Sequence, residues 1–269
     1  MIELLTATTL LLALSGAVIG FLVGLTGVGA GALTTPLLIS GFGVAPAIAV
    51  GTDLVFAALT KFWAGWRHAS LGHIDWTVLG RLALGSCTGA VAALAYMHLA
   101  DPDTTLFAKI ISGTLAVALV ISAAAMLAQP WLAARRERSL SGDGTARPSG
   151  PVPTMALGLL IGTLVTLTSV GAGAIGVVAL MILYPLMSPR HIVGTDIAHA
   201  VPLAMIAGAG HAGLGNIDVA LLATLLIGSV PGSLIGARFA GHVPSATLRR
   251  ILAGVLLLAA GMLVFKVMR

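Results

Sequence analysis

Long apolar stretches separated by short polar segments dominate the chain. Eight of them approach the length of a membrane crossing, at 4–25, 45–66, 76–97, 106–127, 155–167, 191–211, 219–239 and 251–267. About 20 apolar residues cross a bilayer core as a helix, and backbone polar groups in lipid must be satisfied within the structure. The pattern therefore predicts an all-α, polytopic integral membrane protein.

The composition agrees with this pattern: 58% of residues are hydrophobic and 9% are charged, whereas soluble proteins average about 25% charged residues. The net charge of +5 does not indicate a nucleic-acid partner, because four of the fourteen basic residues lie in one polar linker, where they act as a topology signal. The single Cys87 excludes an internal disulfide, and we predict no metal or cofactor. Glu3 stands where a signal peptide would be basic, so we expect the first helix to be retained.

The chain contains an internal duplication. The matched segments are 26–32 with 168–174 (TGVGAGA, TSVGAGA), 51–54 with 194–197 (GTDL, GTDI), 68–75 with 211–218 (HASLGHID, HAGLGNID), and 85–89 with 228–232 (GSCTG, GSVPG). Such ordered matches predict two homologous membrane repeats, at 1–128 and 154–269. An Arg/Ser/Gly/Pro-rich segment at 129–153 joins them, and we expect it to be a mobile cytoplasmic loop.

The opening stretch determines how the repeats are oriented. Leu4 to Ile39 would form one helix roughly 54 Å long, well beyond the ~30 Å apolar thickness of a bilayer. If the chain folds back at the glycine cluster, each repeat has an odd number of crossings and the repeats are inverted. Each repeat would then have a glycine-broken helix or hairpin plus about three spanning helices. A parallel arrangement is the alternative, and it places Arg190, Arg249 and Arg250 outside, against the positive-inside rule.

The paired glycine clusters are candidate substrate-binding elements. Broken helices in inverted-repeat transporters expose half-helix N-termini, whose free N–H groups bind anions. Close packing of helices through small residues is the alternative interpretation. The candidates from both clusters are Thr26, Gly29, Gly31, Thr168, Ser169, Gly171 and Gly173.

Three ionisable residues at membrane depth are further candidates, because such groups are costly in lipid and mark functional sites. Asp53 and Asp196, in the GTD motifs, are candidates for proton coupling or gating, although they could instead cap helices that restart after Gly51 and Gly194. Lys61 has Ala204 as its counterpart, and a single cation suits an anion site. It could also pair with Asp53 or extend to the interface.

Histidines and further aspartates complete the polar set. His199 follows Asp196 by one helical turn and could form a proton relay with it, or could pack as a neutral hydrogen-bonded side chain. His68 and His211 lie near segment ends, which favours a role at the polar interface. Asp75 and Asp218 directly precede apolar runs, and this position predicts helix N-caps.

Several segments resemble the sulfite exporter (TauE/SafE) family of membrane permeases. They are the glycine breaks followed by GTD, TKFWAGWRHASLGHIDW (60–76), TSVGAGAIGVVAL (168–180), IVGTDIAHAVP (192–202), GLGNIDVALL (213–222) and GSVPGSLIGARF (228–239). The resemblance covers nearly the whole chain outside the linker. It implies a cytoplasmic-membrane carrier of a small anion such as sulfite or an organosulfonate.

We therefore expect a secondary transporter, coupled to protons and working by alternating access, with a small anion and membrane lipid as partners; a homodimer is compatible with this expectation. Neither HExxH nor GxSxG is present in the sequence, so an enzyme is not expected. No Walker loop is present to support ATP-driven transport. A non-transporting scaffold or accessory subunit of sulfur metabolism is the alternative function.

Overall fold

The computed structural model describes residues 2–26, 31–99, 104–141, 149–239, 242 and 244–268, and all regular structure within these ranges is α-helical. The prediction of an all-α chain is confirmed. The ten helices of these ranges are α1 (Ile2–Thr26), α2 (Gly31–Gly41), α3 (Pro46–Ser70), α4 (Trp76–Leu99), α5 (Thr104–Ser141), α6 (Pro151–Thr168), α7 (Ala174–Leu183), α8 (Pro189–Gly213), α9 (Val219–Phe239) and α10 (Ser245–Met268).

Eight of the helices in the described ranges are long and apolar enough to cross a membrane. The other two, α2 and α7, have 11 and 10 residues, so each covers only roughly 15 Å. Both short helices follow a glycine cluster, and each is the second helix of its half of the chain. Each half thus has a long helix, a short helix after the break and three more long helices, as the sequence predicts.

The described parts of the polar linker are largely helical, whereas the sequence predicts a loop there. Helix α5 continues through the arginine-rich segment to Ser141, and α6 already begins at Pro151. The expectation of a loop across 129–153 is therefore wrong at both ends. Leu, Ala, Arg and Glu in WLAARRERSLS are strong helix formers, and their local preference extends the helix. Residues 142–148 lie outside the described part of the chain.

The first helix of each half packs along the third long helix of the other half. Helix α1 lies against α9, and α6 lies against α4. The contacts use glycines spaced four residues apart, so the backbones approach closely. A Cβ at these glycines would collide with the facing backbone: Gly16 at Leu225, Gly20 at Ser229, Gly24 at Ser233, Gly158 at Leu82, Gly162 at Ser86, Gly85 at Met155 and Gly89 at Leu159.

These contacts also give the helix directions. The residue numbers of facing positions rise together along α1 and α9, and along α4 and α6, so both of these pairs are parallel. In contrast, Gly51 at the start of α3 faces Asn216 after the end of α8, and Gly194 at the start of α8 faces His73 after the end of α3. Helices α3 and α8 are therefore antiparallel. Short turns reverse the chain from α3 to α4 and from α8 to α9. Each of these helices therefore runs opposite to its counterpart in the other half, which supports the inverted arrangement. We call the membrane face where α5 ends and α8 begins the linker side, and the opposite face the far side.

Reciprocal hydrogen bonds join the two halves at the turns. The Asp75 N–H donates to Thr195 Oγ1 at 2.9 Å, and the matched Asp218 N–H donates to Thr52 Oγ1 at 3.0 Å. The threonine of each GTD motif therefore fixes the turn of the opposite half.

The aspartates of these turns are N-caps, as predicted. Asp75 Oδ1 accepts the backbone N–H groups of Thr77 and Val78, both at 3.0 Å, at the start of α4. Asp218 Oδ1 accepts the Leu221 N–H at 2.9 Å, at the start of α9. Each carboxylate satisfies donors that have no partner within the helix.

Distant donors hold the C-terminal ends of the short helices. Lys266 Nζ in α10 donates to the Ile39 carbonyl of α2 at 2.8 Å. The Ser149 N–H donates to the Leu183 carbonyl of α7 at 3.0 Å. The last carbonyls of a helix have no partner within it, so these bonds both satisfy and position α2 and α7.

A compact apolar cluster closes the far side of the molecule. Its buried residues come from the far-side halves of α3, α4, α5, α6 and α8. They are Val50, Leu54, Ala90, Ile111, Ile161, Val165, Leu203 and Ala207, which we call the far-side cluster. None of these side chains is more than 4% exposed.

Candidate functional site

The glycine break of the second half is an irregular turn, and the structure describes all of its backbone. Helix α6 ends at Thr168, and Ser169 adopts a left-handed conformation with φ of 58°. Gly171 and Gly173 have φ of 136° and 122°, which side-chain-bearing residues rarely adopt. The Thr168 hydroxyl donates to the Leu164 carbonyl at 2.6 Å and accepts the Val170 N–H at 3.1 Å. Thr168 therefore stabilises the break itself.

Most of the glycine break of the first half lies outside the residues that the structure describes. Residues 27–30, which include the candidate Gly29, and the side chain of the candidate Thr26 are not among the described atoms. Gly31 begins α2 and is buried. A Cβ at Gly31 would collide with the Ser169 carbonyl and lie 3.2 Å from Asp53 Oδ2. The start of α2 therefore meets both the second break and Asp53.

Asp53 faces the N-terminus of α2. Its side chain is fully buried, and the Thr35 hydroxyl in the first turns of α2 donates to Asp53 Oδ2 at 2.6 Å. Asp53 Oδ1 and Ser169 Oγ are both buried and make no hydrogen bond of regular geometry to the described residues, although the Ser169 hydroxyl is close enough to interact with the Asp53 carboxylate. Buried polar atoms normally have full hydrogen bonds, so these two atoms mark a place where a ligand or proton can bind.

Asp196 has the matched position at the N-terminus of α7. Its carboxylate interacts with the Gly173 backbone N–H, which directly precedes α7. A Cβ at Gly176 would collide with Asp196 Oδ1, so glycine there allows the carboxylate to approach the helix. Asp53 and Asp196 therefore each place a carboxylate at the positive end of the short helix in their own half.

This arrangement corrects one interpretation of the GTD motifs. The aspartates do not cap helices that restart after Gly51 and Gly194, because both glycines lie inside the continuous helices α3 and α8. Instead, Gly51 and Gly194 allow close contact between the halves: a Cβ would collide with the Asn216 carbonyl at Gly51 and with the His73 carbonyl at Gly194.

Lys61 lies between two cavities. An enclosed cavity of about 20 Å³ is lined by Gly31, Lys61, Ser122, Ser169 and Gly171, among others. A cavity of about 480 Å³, which we call the linker-side cavity, is lined by Lys61, Gly173 and Asp196 together with residues near the linker-side ends of α1, α3, α5, α8 and α9. Lys61 borders both, so it stands where the open space meets the glycine break.

The ammonium group of Lys61 points into the protein. Lys61 Nζ donates to the Ala172 carbonyl of the break at 3.4 Å. Both Asp53 and Asp196 are close enough to interact with it electrostatically. The geometry therefore disfavours the alternative that Lys61 extends to the membrane interface, and it brings the predicted cation, both aspartates and the second glycine break together.

His199 is not paired with Asp196. Its side chain is fully buried, and Nε2 makes a 2.8 Å hydrogen bond with Ser86 Oγ of α4, while Nδ1 has no partner among the described residues. Helix α8 directs His199 toward α4, and Asp196 toward α7. The geometry favours the alternative interpretation of His199 as a packing histidine.

The matched histidines have different environments. His211 is fully buried, and its Nε2 makes a 2.9 Å hydrogen bond with the Thr166 carbonyl of α6. The expectation of an interface role is therefore wrong for His211, because α6 covers the end of α8. His68 lines the linker-side cavity, and its Nδ1 has no hydrogen-bond partner among the described residues.

Several residues at the site were not foreseen. Ser122 of α5 lines the enclosed cavity, and Gln129 and Ser233 line the linker-side cavity. None of them belongs to a repeated motif. Thr35, the partner of Asp53, follows the first glycine cluster directly, and a polar pair at 34–35 before Pro36 in an apolar run was a usable signal.

Comparisons with known proteins identify the family. A sequence model of the family described as "Sulfite exporter TauE/SafE" matches residues 12–263. The chain is 37% identical over 246 residues to "Probable membrane transporter protein YjnA" of Bacillus subtilis (strain 168), covering 91% of this chain and 96% of that protein. It is 27% identical over 246 residues to "Probable membrane transporter protein YdhB" of the same strain, covering 89% and 96%. No solved structure matches.

The family match covers almost every element that builds the site, from α1 to α10, and it agrees with eight helices able to span a membrane. Both long matches extend over nearly the full length of proteins named as membrane transporters. The chain is a multi-pass membrane protein and belongs to the sulfite exporter TauE/SafE family of membrane transporters.

Proposed function

We propose that this chain is a secondary transporter that moves a small anion across the cytoplasmic membrane, coupled to protons, by alternating access. The anion is sulfite, an organosulfonate or a sulfur-containing carboxylate. One observation carries the proposal: Lys61 borders both cavities, beside the glycine break and within electrostatic reach of Asp53 and Asp196.

The buried charges explain why an anion would move with protons. With all three groups ionised, one cation and two carboxylates sum to one negative charge, which repels an anion. Protonation of both aspartates leaves the positive charge of Lys61 and frees the N-termini of α2 and α7 for a ligand. Anion binding and proton binding would therefore favour each other.

The helix arrangement supports alternating access. The linker-side cavity reaches Lys61 from one face, while the far-side cluster closes the other face. Helices of the two halves run in opposite directions and meet in reciprocal hydrogen bonds at Thr52 and Thr195. A rocking of one half against the other would exchange open and closed faces without changing the fold.

The site favours small oxyanions over larger or apolar molecules. The enclosed cavity of about 20 Å³ has room for about one water-sized group, so a sulfite or sulfonate head would place one oxygen there and its other atoms beside Lys61 in the linker-side cavity. Lys61 Nζ and Ser169 Oγ suit the oxygens of such a head. The linker-side cavity of about 480 Å³ leaves space for a short organic tail.

Flux in proteoliposomes tests the proposal. Purified protein is reconstituted, and uptake of radiolabelled sulfite, a short sulfonate and a sulfur-containing carboxylate is followed with and without a pH gradient. We expect uptake of at least one anion that increases with the gradient and collapses with a protonophore. Absence of flux for the whole panel, with correctly inserted protein, would favour a scaffold or accessory subunit.

A further inference from the structure

The two halves use matched residues in opposite ways. Six buried members of the far-side cluster have their repeat counterparts in the lining of the linker-side cavity. The pairs are Val50 and Val193, Leu54 and Ile197, Ala90 and Ser233, Val165 and Val23, Leu203 and Thr60, and Ala207 and Ala64. Equivalent residues of the two halves are therefore packed together on the far side and line an open cavity on the linker side.

The matched histidines follow the same division. On the packed face, His211 Nε2 bonds the Thr166 carbonyl at 2.9 Å. Under the repeat, His211 corresponds to His68, and Thr166 corresponds to Gly24. Both His68 and Gly24 line the linker-side cavity. The His68 ring instead packs against the His73 ring, with 5.7 Å between the ring centroids, and His68 Nδ1 has no hydrogen-bond partner among the described residues.

The acceptors in the two halves are equivalent. Thr166 is in the last turn of α6, and Gly24 is in the last turn of α1. The last four carbonyls of a helix have no partner within it. The Thr166 carbonyl accepts the hydrogen bond of His211, and the Gly24 carbonyl has the equivalent position at the end of α1. Glycine at position 24 also lets α1 lie against Ser233, so this helix end borders the cavity directly.

We propose that His211 and His68 are alternate latches, one for each face. The His211 bond to the Thr166 carbonyl holds the far side closed, and in the opposite state His68 bonds the Gly24 carbonyl and holds the linker side closed. This assignment rests on the proposed alternating access, and it adds the two bonds that distinguish the end states.

Cysteine labelling tests the latches without requiring transport. In a Cys87→Ser background, Ala64→Cys reports on the linker-side cavity and Ala207→Cys reports on the far-side cluster, where Ala207 is 0% exposed. The reagent is a membrane-impermeant maleimide applied to reconstituted protein from either face. We expect rapid labelling at 64 and slow labelling at 207.

Latch variants should shift the rate at 207 in opposite directions. His211→Ala should raise the labelling rate at 207, and His68→Ala should lower it. The rate at 64 reports the dominant state and should change little in either variant. The expected change at 207 is about fivefold, corresponding to one net hydrogen bond in a two-state equilibrium. Thr166→Val is the matched control, because it removes the hydroxyl and keeps the carbonyl.

Two results would overturn the latches: an unchanged rate at 207 in His211→Ala, or shifts of the same sign in both histidine variants. If His211→Ala does not give a monodisperse peak in size-exclusion chromatography, His211→Gln replaces it. The glutamine keeps an N–H donor but holds it in a different position, so its rate at 207 should exceed that of the parent by less than fivefold, and a rate below that of the parent would contradict the latch. If the two histidine variants shift the labelling rate at 207 in opposite directions but the protein moves no anion, the latches would be supported and the proposed transport function would be contradicted.

Discussion

The Thr35 hydroxyl donates a 2.6 Å hydrogen bond to Asp53 Oδ2, so the N-terminus of a short helix binds a carboxylate that the protein itself supplies. Asp196 has the same relationship with α7 through the Gly173 N–H. In the proposed transport cycle, an anion would meet helix ends that are already occupied, and protonation of the aspartates would make these ends available.

Neutral replacements of the two aspartates should separate proton coupling from structure. Asp53→Asn and Asp196→Asn keep a side-chain oxygen for the helix N-terminus but cannot ionise. We expect gradient-driven uptake to fall to the level of empty liposomes, while anion exchange between the two sides persists in at least one variant. Normal uptake with the gradient in both variants would reduce the aspartates to structural caps.

Removal of the Lys61 charge should weaken anion binding. Lys61→Gln keeps a hydrogen-bond donor at similar length and removes the positive charge. Hydrogen bonds to charged groups contribute about 1.5 to 3 kcal/mol, so affinity should fall roughly ten- to a hundredfold. Isothermal titration with the transported anion measures this, with Lys109→Gln as the control at a position distant from both cavities. An affinity equal to that of the control would remove Lys61 from the site.

A methyl group at the start of α2 should block the site. In Gly31→Ala the added Cβ would collide with the Ser169 carbonyl and crowd Asp53 Oδ2 at 3.2 Å. We expect uptake to be lost while the protein still reaches the membrane. Gly254→Ala, where nothing lies within 4 Å of the added Cβ, is the control and should transport normally. Equal uptake in the two variants would contradict a site at the break.

The glycine contacts between α1 and α9 and between α4 and α6 should determine stability. Gly20→Ala and Gly162→Ala both place a methyl group into facing backbone. Overpacking of this kind costs about 1 to 3 kcal/mol, so the unfolding temperature in detergent should fall for both. The expected similarity of the two losses follows from their matched positions. If Gly254→Ala lowers the unfolding temperature by the same amount, the loss of stability is not specific to the close helix contacts.

The helix directions predict that the linker and the C-terminus lie on opposite faces. Reporter fusions at residue 145 and after residue 269 would test this, and the basic linker should be cytoplasmic. Both reporters active on the same face would contradict the inverted arrangement, while leaving the contacts around Lys61 as described.

Much of this fold could be predicted because membrane constraints are simple. Apolar length predicts the spanning helices, and the repeated motifs predict that Asp53 and Asp196 have equivalent surroundings. The linker helix was missed because its arginines suggested a loop, although local helix preference is strong there.

Partners distant in sequence could not be predicted. His199 bonds Ser86, 113 residues away, and helical spacing alone suggested Asp196 instead. Asp53 meets Thr35 because α2 folds back beside α3, and no periodic pattern encodes that contact. Such pairs depend on how whole helices pack, which a single sequence does not reveal.

The replacement of Lys61 by Ala204 at the matched position means that the two faces of this molecule are not energetically equivalent. Under the proposed alternating access, exchanging the conformations of the halves would exchange nearly all matched contacts, but it would move Lys61 from the wall of an open cavity to that of a closed one. Without substrate, one orientation would therefore have the lower free energy. A carrier of this kind has a resting direction when empty, and its anion would have to offset that preference to complete a cycle.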